Sequence, residues 1–459
     1  MATDPLAART VTALTEGSAS MPPVGRERFI ADVVVTCDEA DSVHGPGVVD
    51  IEDGRICWVG PKADAPEACT TMSVNDIGGL LMPGLVNSHC HTPMTLVRGV
   101  GDGLPLQRWL TEAMWPREGR MTPEDVWWGM TLGSAEMLRA GVTTSCEMYL
   151  HEEPIVDAVG ASGARLVITP GVVSALHPGD SGDGRTAAIV DFHARHHDPE
   201  GRISVGLGPH SAYDLGVERV AALAGTARQL DAVLHIHLAE TTQESAGLVA
   251  EHGCSVVRSL ADHGVFEGRV LAAHGVWVDD DDISILAEWG VAIAHCPLSN
   301  MKLGSGIAPV EAMRRAGVTV ALGTDGPASN DTLNLWEEVK FAPLLARVHA
   351  LDATVLPPVE TLAMATRIGA LAVGLDDVGC LAPGFAADMI RIDLDHHAFV
   401  PVTEPADLLA HLAWAGSDRL VSDVWVAGNQ VVAGGRVLTV DEERARAEVQ
   451  QRAQRLAAG

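Results

Sequence analysis

Positive charge is scarce in this sequence. Its 31 Lys and Arg residues stand against 61 Asp and Glu residues, which gives a formal net charge of −30. Nucleic acids and anionic membrane surfaces require a basic footprint on their partners, so this balance argues against both. A small molecule bound in a local pocket is compatible with the charge. We therefore expect a small-molecule substrate, no nucleic-acid partner and no membrane partner.

Paired cysteines, a long apolar run and a signal peptide are also missing. The 8 cysteines form no CxxC pair, and several lie in apolar runs where a free thiol behaves as a small hydrophobe. No run approaches the roughly 20 apolar residues of a membrane span, and MATDPLAARTVTALTEGS lacks a basic start followed by an apolar stretch. These absences predict a cytoplasmic protein with reduced cysteines, which we expect to be a homo-oligomer.

Alternating β and α segments dominate the middle of the chain. Its 459 residues, with 47% hydrophobic content, suffice for a barrel of roughly 250 residues and an accessory domain. Between about residues 80 and 325, roughly eight β-rich apolar runs recur. Helical periodicity separates most of them, as in VWWGMTLGSAEMLRAG. This alternation favours a closed (β/α)8 TIM barrel over an open doubly wound sheet.

Shorter β-type runs flank the barrel region, with ADVVVTC before it and SDVWVAGNQVVAGG after it. We predict that residues 28–86 and 381–436 form one composite β-sandwich domain around a barrel of residues 87–380. Residues 1–27 are small, polar and Pro-containing, which predicts a flexible extension. The charged segment 437–459 is predicted to be a C-terminal helix.

Residues able to bind a metal fall at the C-terminal ends of the β-type runs, where a barrel carries its active site. His89 and His91 in NSHCH are two residues apart, so on a strand both can bind one ion. This pair alone leaves an ordinary surface or core pair open. The run HIHLAE adds His235 and His237 on one face, followed by Glu240.

Later runs complete a set of candidate ligands with His274, His295 and Asp325. A carboxylate that leaves the buried run VTVALG is costly unless it is paired or metal-bound. Three imidazoles and one carboxylate suit Zn²⁺ or Fe²⁺, with one position open for water. We interpret His235 as a core histidine one layer deeper than His237, and His295 as a packing or supporting residue.

Lysine is the rarest charged residue. Binuclear barrels of this kind commonly bridge two ions with a carbamylated lysine. Here the lysines are Lys62, Lys302 and Lys340, and none ends an early or middle barrel strand. The sequence therefore predicts one divalent ion, zinc first and iron as the alternative.

The motifs PGLVNSHCH, HLAE, AAH and GTDGPASN resemble the amidohydrolase superfamily, in particular its cytosine-deaminase-like branch, over nearly the whole chain. Longer strings, among them RWLTEAMWPREGRMTPED, GLGPHSAY and NMKLGSGIAPV, look like the deaminases of S-adenosylhomocysteine, methylthioadenosine and related adenosines. The resemblance implies a metal-dependent deaminase that replaces the 6-amino group of an adenine nucleoside with oxygen and releases ammonia.

The resemblance also assigns roles in the reaction. Glu240, three residues after His237 as in the family pattern HxxE, moves a proton from the attacking water to the purine ring nitrogen. His274 lies beside that water and helps to orient it or to stabilise the developing alkoxide, and Asp325 acts both as a ligand and in catalysis. A metal lowers the pKa of water, and a nearby carboxylate then serves as base and later as acid. The implied metal ligands are His89, His91, His237 and Asp325.

Substrate contacts follow from the same strings. Trp109 is implied as a wall of the pocket, Glu118 as the partner of the ribose hydroxyls, and His210 as a hydrogen-bonding contact to the purine. Arg185 matches an arginine that meets the amino-acid tail of adenosylhomocysteine. Pro170, in TPGVVS, stands where relatives with that specificity often carry a second arginine, which favours a tail without a carboxylate.

The sequence leaves other functions open. Guanine-type or pterin deaminases and triazine hydrolases share the superfamily, and ring specificity depends on loops. An inactive relative that serves as a scaffold is a further alternative. The presence of Glu240 and of every implied ligand argues against it.

Overall fold

The computed structural model describes residues 25–176, 183–198 and 200–458. Most of the predicted flexible extension, residues 1–27, lies outside the described residues, and Glu27 already begins a strand. The strands of the N-terminal flank are β1 (Glu27–Ala31), β2 (Val33–Val35), β3 (Val43–His44), β4 (Gly47–Glu52), β5 (Arg55–Pro61), β6 (Ser73–Asp76) and β7 (Leu80–Pro83).

The next strands belong to the central region of the chain. They are β8 (Leu85–Cys90), β9 (Val142–Glu147), β10 (Arg165–Ile168), β11 (Gly171–Val172), β12 (Ile203–Val205), β13 (Gly208–Pro209), β14 (Leu234–Leu238), β15 (Val270–His274), β16 (Ala292–His295) and β17 (Val320–Leu322). The C-terminal flank contributes β18 (Met389–Ile392), β19 (Val421–Val426), β20 (Asn429–Ala433) and β21 (Arg436–Val437).

Helices connect the central strands and end the chain. They are α1 (Leu106–Arg108), α2 (Trp115–Glu118), α3 (Pro123–Arg139), α4 (Glu152–Ser162), α5 (Asp183–His196), α6 (Ala212–Leu215), α7 (Val217–Gln229), α8 (Thr242–His252), α9 (Val256–Asp262), α10 (Asp280–Glu288), α11 (Pro297–Lys302), α12 (Val310–Arg315), α13 (Leu335–Ala350), α14 (Pro358–Met364), α15 (Arg367–Ala372), α16 (Asp407–Ala415) and α17 (Glu442–Ala457). Shorter turns of helix are the 3₁₀ segments Lys62–Asp64, Thr92–Val97, Ser174–Leu176, Val265–Glu267, His397–Phe399 and Asp418–Leu420, and the π-helix Trp109–Met114.

Two four-stranded parallel sheets form the central ring. Their orders are β12-β10-β9-β8 and β14-β15-β16-β17. Parallel bridges join their edges, one between Cys90 and Asp325 and one between Leu207 and Leu234. The strands β14 to β17 are buried along their whole length, as the apolar runs require when helices cover the outside. The predicted (β/α)8 barrel is confirmed.

The flanking strands form two further sheets. One has the order β5-β4-β1-β6, and the other, β21-β20-β19-β18-β7-β2-β3, combines strands from both ends of the chain. Antiparallel pairing of β7 with β18 joins the two flanks. Phe29 and Trp425, from different sheets, meet edge to face with ring centroids 5.2 Å apart. A shared apolar core therefore holds the sandwich together, while the boundaries 28–86, 381–436 and 87–380 stay predictions.

Close helix packing fixes the loop that follows the first ring strand. A Cβ atom added at Gly133 of α3 would lie 2.2 Å from the Thr92 side chain, and one at Gly129 would lie 2.7 Å from the Pro93 carbonyl oxygen. Glycine at these two positions lets α3 pack directly on the segment Thr92–Val97. Within the described ranges, no helix has the combination of length and apolar character needed to cross a membrane.

Candidate metal centre and active site

Most of the predicted ligands collect at the C-terminal end of the ring. His89 lies in β8 with His91 directly after that strand, His237 lies in β14, and His274 ends β15. Asp325 follows β17 by three residues. Parallel strands in a barrel end at one face, so residues distant in sequence meet there. Hereafter the ligand group means His89, His91, His237 and Asp325.

The donor atoms of the ligand group lie close together, in two overlapping sets of three candidate ligands: His89, His91 and His237, and His89, His274 and Asp325. The Nε2 atoms of His91 and His237 lie 3.2 Å apart. Oδ1 of Asp325 lies 3.3 Å from Nε2 of His89 and 3.3 Å from Nε2 of His91. His89 Nε2 is buried and has no hydrogen-bond partner among the described residues. Converging donors with an orphaned nitrogen fit a divalent cation.

Carbonyl groups fix the tautomers of two of these histidines. His91 Nδ1 donates to the carbonyl of Met148 at 2.6 Å, and His237 Nδ1 donates to the carbonyl of His210 at 2.8 Å. A carbonyl can only accept, so each ring carries its proton on Nδ1 and its lone pair on Nε2. Burial holds the pKa of His237 well below its usual value. Two lone pairs thus face each other, which a cation between them relieves.

His89 is held by a chain of three hydrogen bonds instead. Thr169 Oγ1 donates to the carbonyl of Glu147 at 3.1 Å, so it accepts from His235 Nδ1, 3.1 Å away. His235 Nε2 is then free to accept from His89 Nδ1 at 2.8 Å. The chain leaves the lone pair of His89 on Nε2, facing Asp325. Supporting partners of this kind orient metal-binding histidines.

Asp325 is supported on its other oxygen. Oδ2 accepts hydrogen bonds from Ser299 Oγ at 2.6 Å and Ser329 Oγ at 2.9 Å. Burial opposes its charge, but the nearby ring of His89, with smaller effects from His91 and His274, outweighs it and keeps the pKa of Asp325 well below its usual range. The carboxylate is therefore ionised, as a metal ligand must be.

Strained backbone aims several of these side chains. His274 has φ 77°, Asp325 has φ 60°, and Ala239, next to Glu240, has φ 50°. Residues other than glycine rarely adopt left-handed φ values, and such strain concentrates at functional sites. Each of the three lies at the end of a ring strand or just after it. The turn there directs the side chains of Glu240, His274 and Asp325 towards the C-terminal end of the ring.

Glu240 and His274 form a buried pair beside the ligand group. His274 Nε2 lies 3.8 Å from Glu240 Oε2, and its Nδ1 donates to Asn300 Oδ1 at 3.0 Å. Ser305 Oγ donates to Glu240 Oε1 at 3.3 Å. Burial raises the pKa of Glu240. Burial opposes a charged His274, but Glu240 and Asp325 outweigh it and raise the pKa of that ring. A carboxylate whose pKa is raised binds a proton more readily, so Glu240 can serve as an acid as well as a base.

One cavity joins this chemistry to the predicted substrate contacts. The inner cavity is lined by His91, His237, Glu240, His274 and Asp325, and also by Trp109, Glu118 and His210. Trp109 begins a π-helical segment and donates from Nε1 to the carbonyl of Val100 at 3.1 Å. Burial raises the pKa of Glu118, and a hydrogen bond from Tyr149 opposes the rise.

Arg185 lies apart from that cavity. It lines a neighbouring outer cavity, defined by Glu118, Leu150, Glu152, Glu153, Leu176 and Arg185 among others. Glu118, Leu150 and Leu176 line both cavities. Within the described chain, His235 and His295 belong to neither of the two sets of three candidate ligands. The structure thus brings together the predicted site residues except Arg185, and all of their roles in metal binding, catalysis and substrate binding stay predictions.

Several supporting residues were not anticipated from the sequence. Ser299 and Ser329 donate to Asp325, and Asn300 accepts from His274; Ser299 and Asn300 lie in α11, and Ser329 lies in the turn after β17. Glu147, at the end of β9, accepts the backbone N–H of Thr92 at 3.0 Å and so fixes the loop beside His91. The signal that could have found Glu147 is a carboxylate that ends the buried run GVTTSCE.

Known proteins share this fold and its motifs. A family model described as "Amidohydrolase family" matches residues 80–431. The 5-methylthioadenosine/S-adenosylhomocysteine deaminase of Pelotomaculum thermopropionicum is 42% identical over 428 residues, 92% of this chain and 97% of the relative. The deaminase of the same name from Moorella thermoacetica is 40% identical over 413 residues, 89% of this chain and 95% of the relative.

Solved structures agree with these sequence matches. An adenosine deaminase from Xanthomonas campestris with bound zinc superposes with a TM-score of 0.90 at 34% identity, covering 96% of this chain and 100% of that one. Atrazine chlorohydrolase from Arthrobacter aurescens, complexed with zinc, gives a TM-score of 0.84 at 26% identity, covering 93% and 100%. This chain belongs to the amidohydrolase family.

Proposed function

We propose that this protein is a hydrolytic deaminase that replaces the 6-amino group of an adenine nucleoside with oxygen and releases ammonia. The observation that carries the proposal is the buried carboxylate of Glu240, 3.8 Å from His274, in the lining of a cavity that Glu118 also lines. Relatives named as deaminases of methylthioadenosine and S-adenosylhomocysteine, 40–42% identical over most of the chain, support it.

In this proposal His89, His91, His237 and Asp325 hold one divalent ion, zinc first and iron as the alternative. Such an ion lowers the pKa of water towards neutrality. Metal analysis of the purified protein tests the number, with one equivalent expected. Two tightly bound equivalents would contradict the prediction from the lysine positions. The cytoplasmic location and the homo-oligomer also stay predictions.

The chain's own residues then move the protons. Glu240 takes a proton from the attacking water and delivers it to the ring nitrogen beside the amine-bearing carbon. A C–O bond forms at that carbon as its C=N double bond becomes single. The remaining water proton passes to the amino group, the C–N bond breaks, and ammonia leaves. His274, fixed by Asn300, directs Nε2 towards Glu240 and stabilises its charged form.

The variant Glu240→Gln tests this role. It keeps the shape of the side chain and removes the group that exchanges the proton, so ammonia release should fall by about 10²–10⁴-fold. Metal content and Tm should stay at the wild-type level, because Glu240 is outside the ligand group. Glu443→Gln, the same change on the exposed face of α17, is the control and should retain full turnover. Near-normal turnover by Glu240→Gln would contradict the assignment.

A triazine hydrolase is the second candidate, favoured by the superposition with atrazine chlorohydrolase. Adenosine, methylthioadenosine, guanine, a pterin and a chlorinated triazine should be offered to the same preparation. We expect release of ammonia from the adenosines to exceed every other turnover by at least about tenfold. Faster release of chloride from the triazine would favour the second candidate.

A further inference from the structure

The outer cavity adjoins the proposed nucleoside site. Glu118, the residue implied to bind the ribose, lines both cavities, whereas His91, His237 and Asp325 of the ligand group line only the inner one. A nucleoside with its base at the ligand group and its ribose at Glu118 therefore directs its 5′ substituent towards the outer cavity. The following inference rests on the proposed function and specifies its substrate.

Arg185 has both of its binding edges occupied. NH1 and NH2 donate to the two carboxylate oxygens of Glu152, at 2.9 and 3.2 Å. On the other edge, Nε and NH2 donate to the carbonyl of Gly171, at 3.3 and 3.1 Å. A guanidinium has five N–H donors in a fixed fork, and four are already used. No edge is left for bidentate binding of a substrate carboxylate.

The pair is largely shielded from solvent, and its charges cancel. The Arg185 and Glu152 side chains are each 12% exposed. Burial opposes the charge of Glu152, but Arg185 outweighs it and holds the pKa of Glu152 below its usual value. Both groups are therefore charged and neutralise each other. Separating them to admit a carboxylate would leave Glu152 buried without its partner, which is costly.

The other described residues that line the outer cavity supply no replacement cation of fixed charge. Arg185 is the only arginine or lysine in the described lining of this cavity, and Glu118 and Glu153 add two carboxyl groups to that of Glu152. Pro170, beside Gly171, has no side-chain donor. An entering carboxylate would meet acidic groups and lose its water without gaining a paired cation.

We propose that the 5′ substituent of the substrate carries no carboxylate, and that Glu152 sets this preference by occupying Arg185. The substrates favoured are adenosines with an uncharged 5′ group, such as a hydroxyl, hydrogen or methylthio group. A 5′-thioether that ends in an amino acid, as in S-adenosylhomocysteine, is disfavoured. The matched pair of thioethers isolates this effect, because both share the base, the ribose and the sulfur.

The experiment measures kcat/KM for methylthioadenosine and S-adenosylhomocysteine on wild type and three variants. Wild type should prefer methylthioadenosine by at least about tenfold, the value of one charge-assisted hydrogen bond. Glu152→Gln removes a charge and an acceptor from Arg185, so it should narrow that preference by about tenfold. Glu153→Gln removes the same charge from the cavity without contacting Arg185 and should change the preference by less than about threefold. Arg185→Gln should not reduce turnover of S-adenosylhomocysteine selectively.

The possible results separate this inference from the proposed function. Ammonia from neither thioether nor adenosine would refute the deaminase proposal itself. Equal kcat/KM for the two thioethers in wild type would overturn the specificity inference and leave the deaminase standing. A selective loss of S-adenosylhomocysteine turnover in Arg185→Gln would also overturn it, because Arg185 would then bind the tail. That variant decides the question even if Glu152→Gln fails to fold.

Discussion

The inner and outer ends of the substrate site are built differently. At the inner end, each histidine of the ligand group has its Nδ1 bonded to a buried partner, and Asp325 has two serine donors. At the outer end, Glu118, Glu152 and Arg185 lie in the helices α2, α4 and α5, and the pairing of Arg185 with Glu152 sets the local charge. The inner end is therefore held by a network of hydrogen bonds, whereas the charge of the outer end depends on one ion pair.

We expect the inner end to govern the rate of the reaction and the outer end to govern which substrate is accepted. Ring strands hold the inner residues to within a narrow range of positions, as a preorganised site requires. Helices outside the ring carry Glu118, Glu152 and Arg185, so substitutions there can alter the substrate without disturbing the reaction. Substitutions at the two ends should consequently differ in size and in kind.

Asp325→Asn should have the largest effect. It replaces the only carboxylate of the ligand group with a neutral amide, so metal content should fall well below one equivalent and turnover by on the order of 10³-fold or more. Metal analysis and ammonia release measure the two losses. Asp281→Asn, at an exposed position in the first turn of α10, is the control. Retention of full metal content and turnover would show that Asp325 is not a ligand.

His235→Gln should have an intermediate effect at the same end. It interrupts the hydrogen-bond chain that holds His89, so the affinity for zinc should fall by about 10–100-fold, the usual loss when a supporting partner is removed. Competition with a chelator measures this affinity without reference to turnover. His295→Gln alters a buried histidine that belongs to neither set of three candidate ligands, so it should leave the affinity for zinc unchanged. Equal losses in both variants would assign His235 a merely structural role.

Glu118→Gln should have the smallest effect and should change selectivity. Loss of charge-assisted hydrogen bonds to the ribose lowers kcat/KM for adenosine by about tenfold and leaves metal content intact. The loss should be smaller for 2′-deoxyadenosine, which lacks one of the hydroxyls. An equal loss for both nucleosides would exclude the ribose contact.

Much of the inner end could be predicted from sequence because strand geometry is regular. The spacing of His89 and His91, and the carboxylate that follows VTVALG, have meaning before any fold is known. The sequence distinguishes His235 from His237 only by its predicted depth in the barrel, and the structure places His235 behind His89. Nothing in the sequence distinguishes Ser299 and Ser329 from other serines, and the partner of Glu147, the backbone N–H of Thr92, lies 55 positions away.

Sequence by itself determined the alternation of β and α segments, the candidate ligands and the single-ion prediction, because these depend on local periodicity and residue chemistry. Tertiary structure decided the rest. Closure of the ring brought Cys90 beside Asp325, and folding placed Glu152 on Arg185 across 33 positions of sequence. Contacts between residues so distant depend on packing of the whole chain, and they determine how the candidate ligands converge and which charge the outer cavity offers.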